Sequence, residues 1–364
     1  MKTKNKIVCI VLAVFLLVSS ALVLFLPKAE FSESERRPYA KFPVLSAETI
    51  KNGNFMNNFE SYCLDAFPFR DFFRSLNAIF STGVFGQKDN NGLYLADGYI
   101  AAMEYPLNEQ AIRYAASRFA FIYEKYLRDK GANVYLSVIP DKSYFLAEKS
   151  GHLSLDYEKL IATLREDTDF AEYLDIFPLL SIEDYYKTDT HWRQEQIVDV
   201  ANALLAGMGT SGREDYTKNT LDHPFHGVYY GQSALPLPSE VIYYLTSGTL
   251  ENATVRDEQN GKDIPVYDLE KGTGRDPYEM FLSGSLSLIT LENPNAKTDR
   301  ELVIFRDSFG SSIAPLLLEG YSKVTLVDIR YIHPAIICPR LNFSNTDVLF
   351  LYSTLVLNNS ETIK

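Results

Sequence analysis

Two short segments of the chain contain residue types suited to acyl transfer. The first, "KTDTHWRQEQ" (187–196), places Asp189 two positions before His191. A carboxylate beside an imidazole can orient the ring and stabilise its protonated form, as a general base requires. If Asp189–Thr190–His191 is extended, the two side chains point to the same side. The alternative is that Asp189 or Thr190 caps a following helix and His191 packs in its first turn.

The second segment is "ELVIFRDSFGSS" (301–312), in which an apolar stretch runs into Arg306, Asp307 and Ser308. If that stretch is a strand of a parallel sheet, Ser308 lies at the carboxyl edge, where α/β folds place their ligands. The helix that follows would offer backbone N–H groups to an oxyanion. The alternative is that Asp307 or Ser308 only caps that helix. Each segment supplies what the other lacks, because one carries a nucleophile and the other a base with its carboxylate.

Helix and strand patterns alternate around both segments. Strands are predicted at "NVYLSVIP" (133–140), "EYLDIFPLL" (172–180), "ELVIF" (301–305), "KVTLVDIRY" (323–331) and "DVLFLYSTL" (347–355), and an amphipathic helix at "RQEQIVDVANALLAGMG" (193–209). This alternation predicts an α/β/α sandwich with a mostly parallel sheet. The turn-rich stretch at about 235–298 predicts a β-rich antiparallel insertion, and 52–81 predicts two helices joined at "DAFPFRD".

The N-terminus indicates the compartment. Lysines at positions 2, 4 and 6 precede an uncharged stretch from Ile7 to Leu26, which is long enough to span a bilayer. The lysines predict that residues 1–6 are cytoplasmic and that the body is exported. No small-x-small cleavage site follows, which favours a transmembrane signal anchor at 7–26 over a cleaved signal peptide. Residues 27–45 are predicted to be a juxtamembrane linker, and 46–364 an extracytoplasmic domain.

Composition excludes several classes of function. The formal net charge is −12 and no basic run follows the N-terminus, which argues against a nucleic-acid partner. The cysteines and histidines form no cluster, so we predict neither a metal nor a cofactor, and structural roles for His223, His226 and His333. Cys63 and Cys338 are either an extracytoplasmic disulfide or two core thiols.

Further candidate site residues follow from their positions beside predicted strands. Arg330 and Tyr331 end the strand expected next to that of Ser308, and Arg330 is a candidate for binding the acceptor or supporting the site. Lys142 follows another buried strand. Tyr230 and Gln232, in "YYGQS", are candidates for a loop over the pocket, with Gln232 a possible oxyanion donor. The alternatives are a structural ion pair for Arg330, and turn or packing roles for the others.

Several motifs together resemble a known group of proteins. They are, in chain order, "SESERRPYAKFP", "YCLDAFPFRD", "YLSVIPDKSYF", "YYKTDTHW", "FHGVYYGQSA", "FRDSFGSS", "VDIRY" and "DVLFLYSTLVLNN". This order after a membrane anchor resembles the DHHW-type exported bacterial proteins, and is similar to the alginate O-acetylation proteins of the AlgX/AlgJ type. The resemblance extends from about residue 32 to the end. Thr190 stands where the DHHW group would show histidine.

The resemblance implies an SGNH-hydrolase-like domain with Ser308 as nucleophile, His191 as general base and Asp189 as orienting carboxylate. "RDSF" is similar to the GDSL block of that superfamily, with Arg306 in place of glycine. The Asp/His segment precedes the Ser segment here, whereas ordinary SGNH enzymes have the opposite order. The motif order therefore implies a circularly permuted topology. The glycine and asparagine blocks of the usual oxyanion hole are not identifiable.

The leading hypothesis is a membrane-anchored O-acetyltransferase that acts on a cell-surface or secreted polysaccharide through an acyl-serine intermediate. In the resembled families such proteins work with a multi-pass membrane O-acyltransferase, which is therefore the expected partner. A carbohydrate acetylesterase with the same triad is one alternative. A non-catalytic carbohydrate-binding or scaffold protein of an exopolysaccharide system is the other.

Overall fold

A computed structural model describes residues 3–25, 29–213 and 215–364. The chain divides into two compact units. The first comprises Met1–Asn90 with Tyr230–Pro236, and the second comprises Asn91–Tyr229 with Leu237–Lys364. The segment predicted as one domain (46–364) is thus shared between the two units, because its first helices pack with the residues that follow the N-terminal helix.

The first unit is mostly helical. Its elements are α1 (Thr3–Phe25), β1 (Phe31–Ser32), β2 (Arg37–Pro38), α2 (Ala47–Lys51), α3 (Asn54–Asp65) and α4 (Arg70–Ile79), which continues as a π-helical turn at Phe80–Val84. The two helices predicted for 52–81 are confirmed as α3 and α4. Within the described residues, α1 is the one helix long and apolar enough to cross a membrane, with a mean hydropathy of 2.7. Leu26, the last residue of the predicted anchor, lies outside the described residues.

The second unit contains most of the strands. They are β3 (Leu93–Ala96), β4 (Tyr99–Ala102), β5 (Asn133–Ile139), β6 (Glu172–Tyr173), β7 (Thr217–Phe225), β8 (Glu240–Thr246), β9 (Thr254–Asp257), β10 (Lys262–Ile264), β11 (Leu288–Glu292), β12 (Glu301–Arg306), β13 (Lys323–Val327) and β14 (Asp347–Ser353). Its helices are α5 (Glu109–Ile122), α6 (Ser143–Ser150), α7 (Tyr157–Glu166), α8 (Val198–Gly207), α10 (Gly248–Asn252), α11 (Leu269–Gly272), α12 (Gly310–Leu317), α13 (Pro334–Ile337) and α14 (Thr354–Asn358), while α9 (Val228–Ser233) runs from this unit into the first.

An eight-stranded sheet forms the centre of the second unit, in the order β10-β9-β11-β13-β12-β14-β5-β6. The strands from β13 to β6 are parallel, and β10, β9 and β11 continue the sheet in antiparallel pairing. The 235–298 segment therefore contributes three strands to this sheet, while its first strand, β8, pairs with β7 in a separate hairpin. The strand predicted for 172–180 is only two residues long, and the chain then forms a 3₁₀ turn at Phe177–Leu179, which contains Pro178.

Both faces of the sheet are covered, because its central strands are apolar on both sides. In β12, Leu302 and Ile304 face a core shared with α8 and α12, and Val303 and Phe305 face a core shared with α5 and α7. The parallel register brings the carboxyl ends of β12, β13 and β14 to the same edge of the sheet. The two segments that carry the candidate catalytic side chains, 187–196 and 301–312, meet at this edge.

Candidate active site

Ser308 lies in the turn that joins β12 to α12. The turn is held by Asp307, a fully buried side chain whose Oδ1 accepts a hydrogen bond from the Phe309 N–H at 3.0 Å. The other oxygen accepts from the N–H and the hydroxyl of Ser353 at 2.8 and 2.7 Å, which ties the turn to the end of β14. Asp307 therefore holds the turn before α12, whose N-cap is Phe309 and which has no side-chain cap. The Ser308 side chain is half-buried and has a different partner.

Asp189 and His191 lie in a tight loop and not at a helix start. The loop is closed by a hydrogen bond from the Tyr186 N–H to the His191 carbonyl at 3.1 Å. Because α8 begins only at Val198, neither Asp189 nor Thr190 caps it, and the capping alternative is wrong. The backbone is not a strand here, yet both side chains still point to the same place.

The three side chains form one hydrogen-bonded chain. The Nε2 atom of His191 lies 2.7 Å from the Ser308 hydroxyl, and its Nδ1 atom lies 2.6 Å from Oδ1 of Asp189. An ionised carboxylate can only accept, so Nδ1 carries the proton and Nε2 is left to accept the proton of Ser308. This is the arrangement that a Ser-His-Asp site requires.

Backbone groups from two segments hold Asp189 in place. Its Oδ1 also accepts the backbone N–H of His191 at 3.0 Å, and its Oδ2 accepts the N–H of Val228 at 2.8 Å. Gly227 passes so close that a Cβ at this position would overlap the Asp189 backbone. The hydroxyl of Thr188 accepts the Gly227 N–H at 3.0 Å. The carboxylate therefore depends on a glycine almost forty positions further along the chain.

Glu240, at the start of β8, holds the same loop from another direction. Its carboxylate accepts the N–H of Lys187, the N–H of Thr188 and the hydroxyl of Thr188, each at 2.8 Å. One side chain thus satisfies both backbone donors immediately before Asp189. Nothing in the sequence around Glu240 indicated this role.

Lys142 lies beneath the loop and is only 2% exposed. Its Nζ donates to the carbonyls of Tyr186 and Lys187 at 3.0 and 3.2 Å, and lies 5.0 Å from the centre of the Tyr229 ring. Burial lowers the pKa of Lys142 to about 7, although the nearby Asp189 carboxylate opposes the change. These contacts indicate that Lys142 positions the loop. The sequence had instead made it a candidate for binding substrate.

The imidazole plane is set by aromatic packing. The Tyr278 ring stacks on His191 with centroids 3.9 Å apart and planes 7° apart. The Tyr278 hydroxyl donates to Ser312 on α12 at 2.8 Å, and burial raises the pKa of Tyr278 well above its usual value. Trp192, predicted to pack beside the site, is fully buried and also donates to Ser312, at 2.9 Å. Sequence reasoning missed Tyr278 because its segment has no regular pattern.

Arg330 lies at the carboxyl edge of β13, next to the strand that leads to Ser308. Its Nε and Nη2 donate to the two oxygens of Asp328 at 2.9 and 2.7 Å, and Asp328 also lies 3.7 Å from Nη1 of the buried Arg306. The structural ion pair is therefore present, and 17% of the Arg330 side chain reaches the surface. Tyr331 is 53% exposed.

The oxyanion donors are only partly defined. The backbone N–H of Ser308 makes no hydrogen bond with another described residue, so it is available to a ligand. Tyr230 is half-buried and Gln232 is exposed on α9, and both belong to the first unit. A role for either one in the pocket stays a prediction.

The remaining cysteine and histidine predictions concern structural roles. Cys63 and Cys338 both have free thiols, but only Cys338 is buried, so the prediction of a core thiol holds for Cys338 and not for the half-buried Cys63. Burial raises the pKa of Cys338 to about 12. His333 has a local role, since its Nδ1 accepts the N–H of Ala335 in the first turn of α13.

No protein-family model matches the chain, and no curated protein matches its sequence. Solved structures do match. A DHHW family protein from Eubacterium siraeum is 21% identical over 76% of this chain and 95% of its own, with a TM-score of 0.61. Bacillus cereus PatB1, solved with a sulfonyl adduct, is 17% identical over 75% and 96%, with a TM-score of 0.60.

The O-acetyltransferase domain of Pseudomonas putida AlgJ is 11% identical over 73% of this chain and 92% of its own, with a TM-score of 0.44. At these identities, the first two matches establish a shared fold. The resemblance to the DHHW group predicted from the motifs is therefore confirmed at the level of the fold, which this chain shares with the Eubacterium siraeum protein.

Proposed function

We propose that the chain is an extracytoplasmic O-acetyltransferase that acetylates a cell-surface or secreted polysaccharide through an acyl-serine intermediate on Ser308. The observation that carries the proposal is the hydrogen-bonded chain from Ser308 through His191 to Asp189, with distances of 2.7 and 2.6 Å. It lies at the carboxyl edge of a parallel sheet, where α/β folds bind ligands. The polysaccharide acceptor rests on the resemblance of the sequence motifs to those of polysaccharide O-acetylation proteins.

In the first step, the Ser308 oxygen attacks the carbonyl carbon of an acetyl ester while Nε2 of His191 takes the hydroxyl proton. The tetrahedral oxyanion accepts a hydrogen bond from the Ser308 N–H. The carbonyl re-forms, the bond to the leaving oxygen breaks, and His191 protonates that oxygen. A sugar hydroxyl then attacks the acetyl-serine and gives its proton to His191. As the carbonyl re-forms, the bond to the Ser308 oxygen breaks and His191 returns the proton to that oxygen.

The buried Asp189 stabilises the imidazolium formed in both steps, because its negative charge lies 2.6 Å from Nδ1. The backbone N–H groups of His191 and Val228 each donate to one oxygen of this carboxylate and hold it in position. The site is therefore preorganised for charge that develops on the ring.

The membrane context extends the proposal. We infer that helix α1, which is long and apolar enough to cross a membrane, serves as a single-pass anchor, and the lysines before it in the sequence support an exported body. A donor acetyl group must then cross the membrane, so a multi-pass O-acyltransferase is the proposed partner. The N-terminal helix supports association with a membrane; the orientation follows from the charge bias alone.

The test uses the purified full-length chain with p-nitrophenyl acetate. Ser308→Ala and His191→Ala should each abolish release of p-nitrophenol, and mass spectrometry of the wild type should find one acetyl group on the Ser308 peptide. Ser311→Ala is the matched control, because this neighbouring serine is buried but makes no side-chain hydrogen bond with another described residue. Wild-type rates for both site variants would show that the residues are not catalytic.

Adding an oligosaccharide separates the possible outcomes. Acetylated sugar supports the transferase, whereas acetate alone supports the acetylesterase. Binding of the sugar without turnover supports a scaffold protein.

A further inference from the structure

Helix α4 has two faces of opposite character, and the polar one points inward. On the inward face, Nη1 of Arg70 lies 2.6 Å from Glu35, and Nη2 of Arg74 lies 3.2 Å from the same carboxylate. Arg74 also donates to the carbonyl of Gly231 at 2.8 Å. Ala78 is fully buried on this face. The charged and small residues of α4 therefore attach it to the rest of the first unit.

The opposite face is apolar and faces outward. We define it by five side chains, Phe72, Phe73, Leu76, Ile79 and Phe80, which recur at helical spacing. Phe72 is 63% exposed, Ile79 45% and Phe80 46%. A helix on a water-soluble protein normally buries such a stripe and exposes its charges. Here the arrangement is reversed, and a contiguous apolar surface of this kind indicates an interaction site.

The membrane helix belongs to the same compact unit as this face. Side chains of α1, from Ile10 to Leu22, line a cavity of about 490 Å³ together with Phe69 and Phe73 at the start of α4. If α1 spans the bilayer, Phe69 and Phe73 beside it lie close to the lipid. Whatever covers the apolar face of α4 must therefore be compatible with the lipid that surrounds α1.

We propose that the apolar face of α4 inserts into the boundary between head groups and acyl chains of the bilayer that α1 spans. An amphipathic helix with phenylalanine and leucine on one side and arginine on the other is suited to this position. Anchoring by α1 keeps the bilayer at a high effective concentration, so the face needs little intrinsic affinity. The first unit would thus have a second attachment to the membrane besides its anchor.

The test is hydrophobic photolabelling of the full-length chain in vesicles of phosphatidylcholine and phosphatidylglycerol. A phospholipid with a diazirine on its acyl chain is activated by light, and labelled peptides are identified by mass spectrometry. We expect label in both α1 and α4. Label in α1 without label in α4 would overturn the proposal, and absence of label from α1 would overturn its premise that this helix is inserted.

A triple variant, F72S/L76S/I79S, should reduce the label in α4 by about fivefold or more and leave that in α1 unchanged, since it removes three of the five apolar side chains of the face but keeps the inward contacts. The matched control is L95S/L153S/L269S, three similarly exposed side chains of the second unit, which should leave the labelling of α4 unchanged. Equal losses in the two variants would contradict the assignment.

A protein occupant gives a different result. A photoreactive benzophenone amino acid in place of Leu76 should yield lipid adducts in cells. Its efficient cross-linking to a protein, together with no lipid label in α4, would show that the face docks a protein and would overturn the bilayer proposal.

Discussion

The Ser308 hydroxyl lies 2.7 Å from Nε2 of His191, although 117 positions separate the two residues in the chain. The contact forms because β12 delivers Ser308 to the carboxyl edge of the sheet and a separate loop brings His191 above it. The loop is held by residues from three other parts of the chain: Lys142, Gly227 and Glu240. The following predictions test these supports as well as the reacting groups.

Replacing Asp189 by asparagine should lower kcat by about 10³–10⁴-fold, because an amide cannot stabilise the imidazolium and favours the wrong tautomer. The shape of the site should survive, since the amide side chain would retain an oxygen acceptor. Ester hydrolysis measures the loss, and thermal unfolding shows whether the fold is kept. Wild-type kcat in a folded variant would remove Asp189 from the mechanism.

Gly227→Ala should displace Asp189, because the new methyl group would overlap its backbone. We expect a loss of about 1–3 kcal/mol of stability from overpacking, and a clear fall in kcat. Gly248→Ala is the matched control, since no atom lies within 4 Å of a Cβ placed there. Chemical denaturation and ester hydrolysis of the two variants give the comparison, and a normal kcat in Gly227→Ala would mean that the loop tolerates the displacement.

Lys142 predicts a pH dependence of stability. Its pKa is lowered from 10.5 to about 7, so between these values the unfolded chain binds more protons than the folded chain. The free energy of unfolding from this group therefore rises with pH across that window, by up to about 1.4 kcal/mol per pH unit. Lys142→Met should remove this contribution.

Urea unfolding of the wild type and Lys142→Met at several pH values above 7 measures the difference between their slopes. Parallel slopes for the two proteins would show that the pKa of Lys142 is not lowered in the folded protein. A lower kcat in Lys142→Met would separately support its role in holding the Tyr186 and Lys187 carbonyls.

Tyr278 should act on His191 through its ring more than through its hydroxyl. Tyr278→Phe loses one hydrogen bond to Ser312, which costs about 1 kcal/mol, but keeps the stack on the imidazole. Tyr278→Ala also removes the ring and should cost about 3–5 kcal/mol with a marked loss of kcat. Thermal melting and kinetics distinguish the two variants. Similar activity in both would show that stacking does not orient His191.

Much of the architecture was predictable from local patterns. The apolar runs of β5, β12, β13 and β14 and the paired helices α3 and α4 are visible in the sequence, because hydrophobic periodicity and turn residues act over a few positions. The pattern around Asp189 fitted both a helix cap and a loop, and it could not distinguish between them. The length of β6 was overestimated, because only Glu172 and Tyr173 pair in the sheet and the apolar residues after them lead into a 3₁₀ turn at Phe177–Leu179.

The sequence by itself made Ser308, His191 and Asp189 candidates for a catalytic site, through residue type and through the resemblance of the surrounding motifs to a known group, but it left helix capping as an alternative for both segments. Only the tertiary structure decided that they meet, since a 117-residue separation is closed by the order of strands in the sheet. The same is true of Tyr278, Glu240 and other supports, whose roles arise from contacts between distant segments. Local propensity contains no information about such contacts, whereas packing the helices and loops against the sheet brings these residues together.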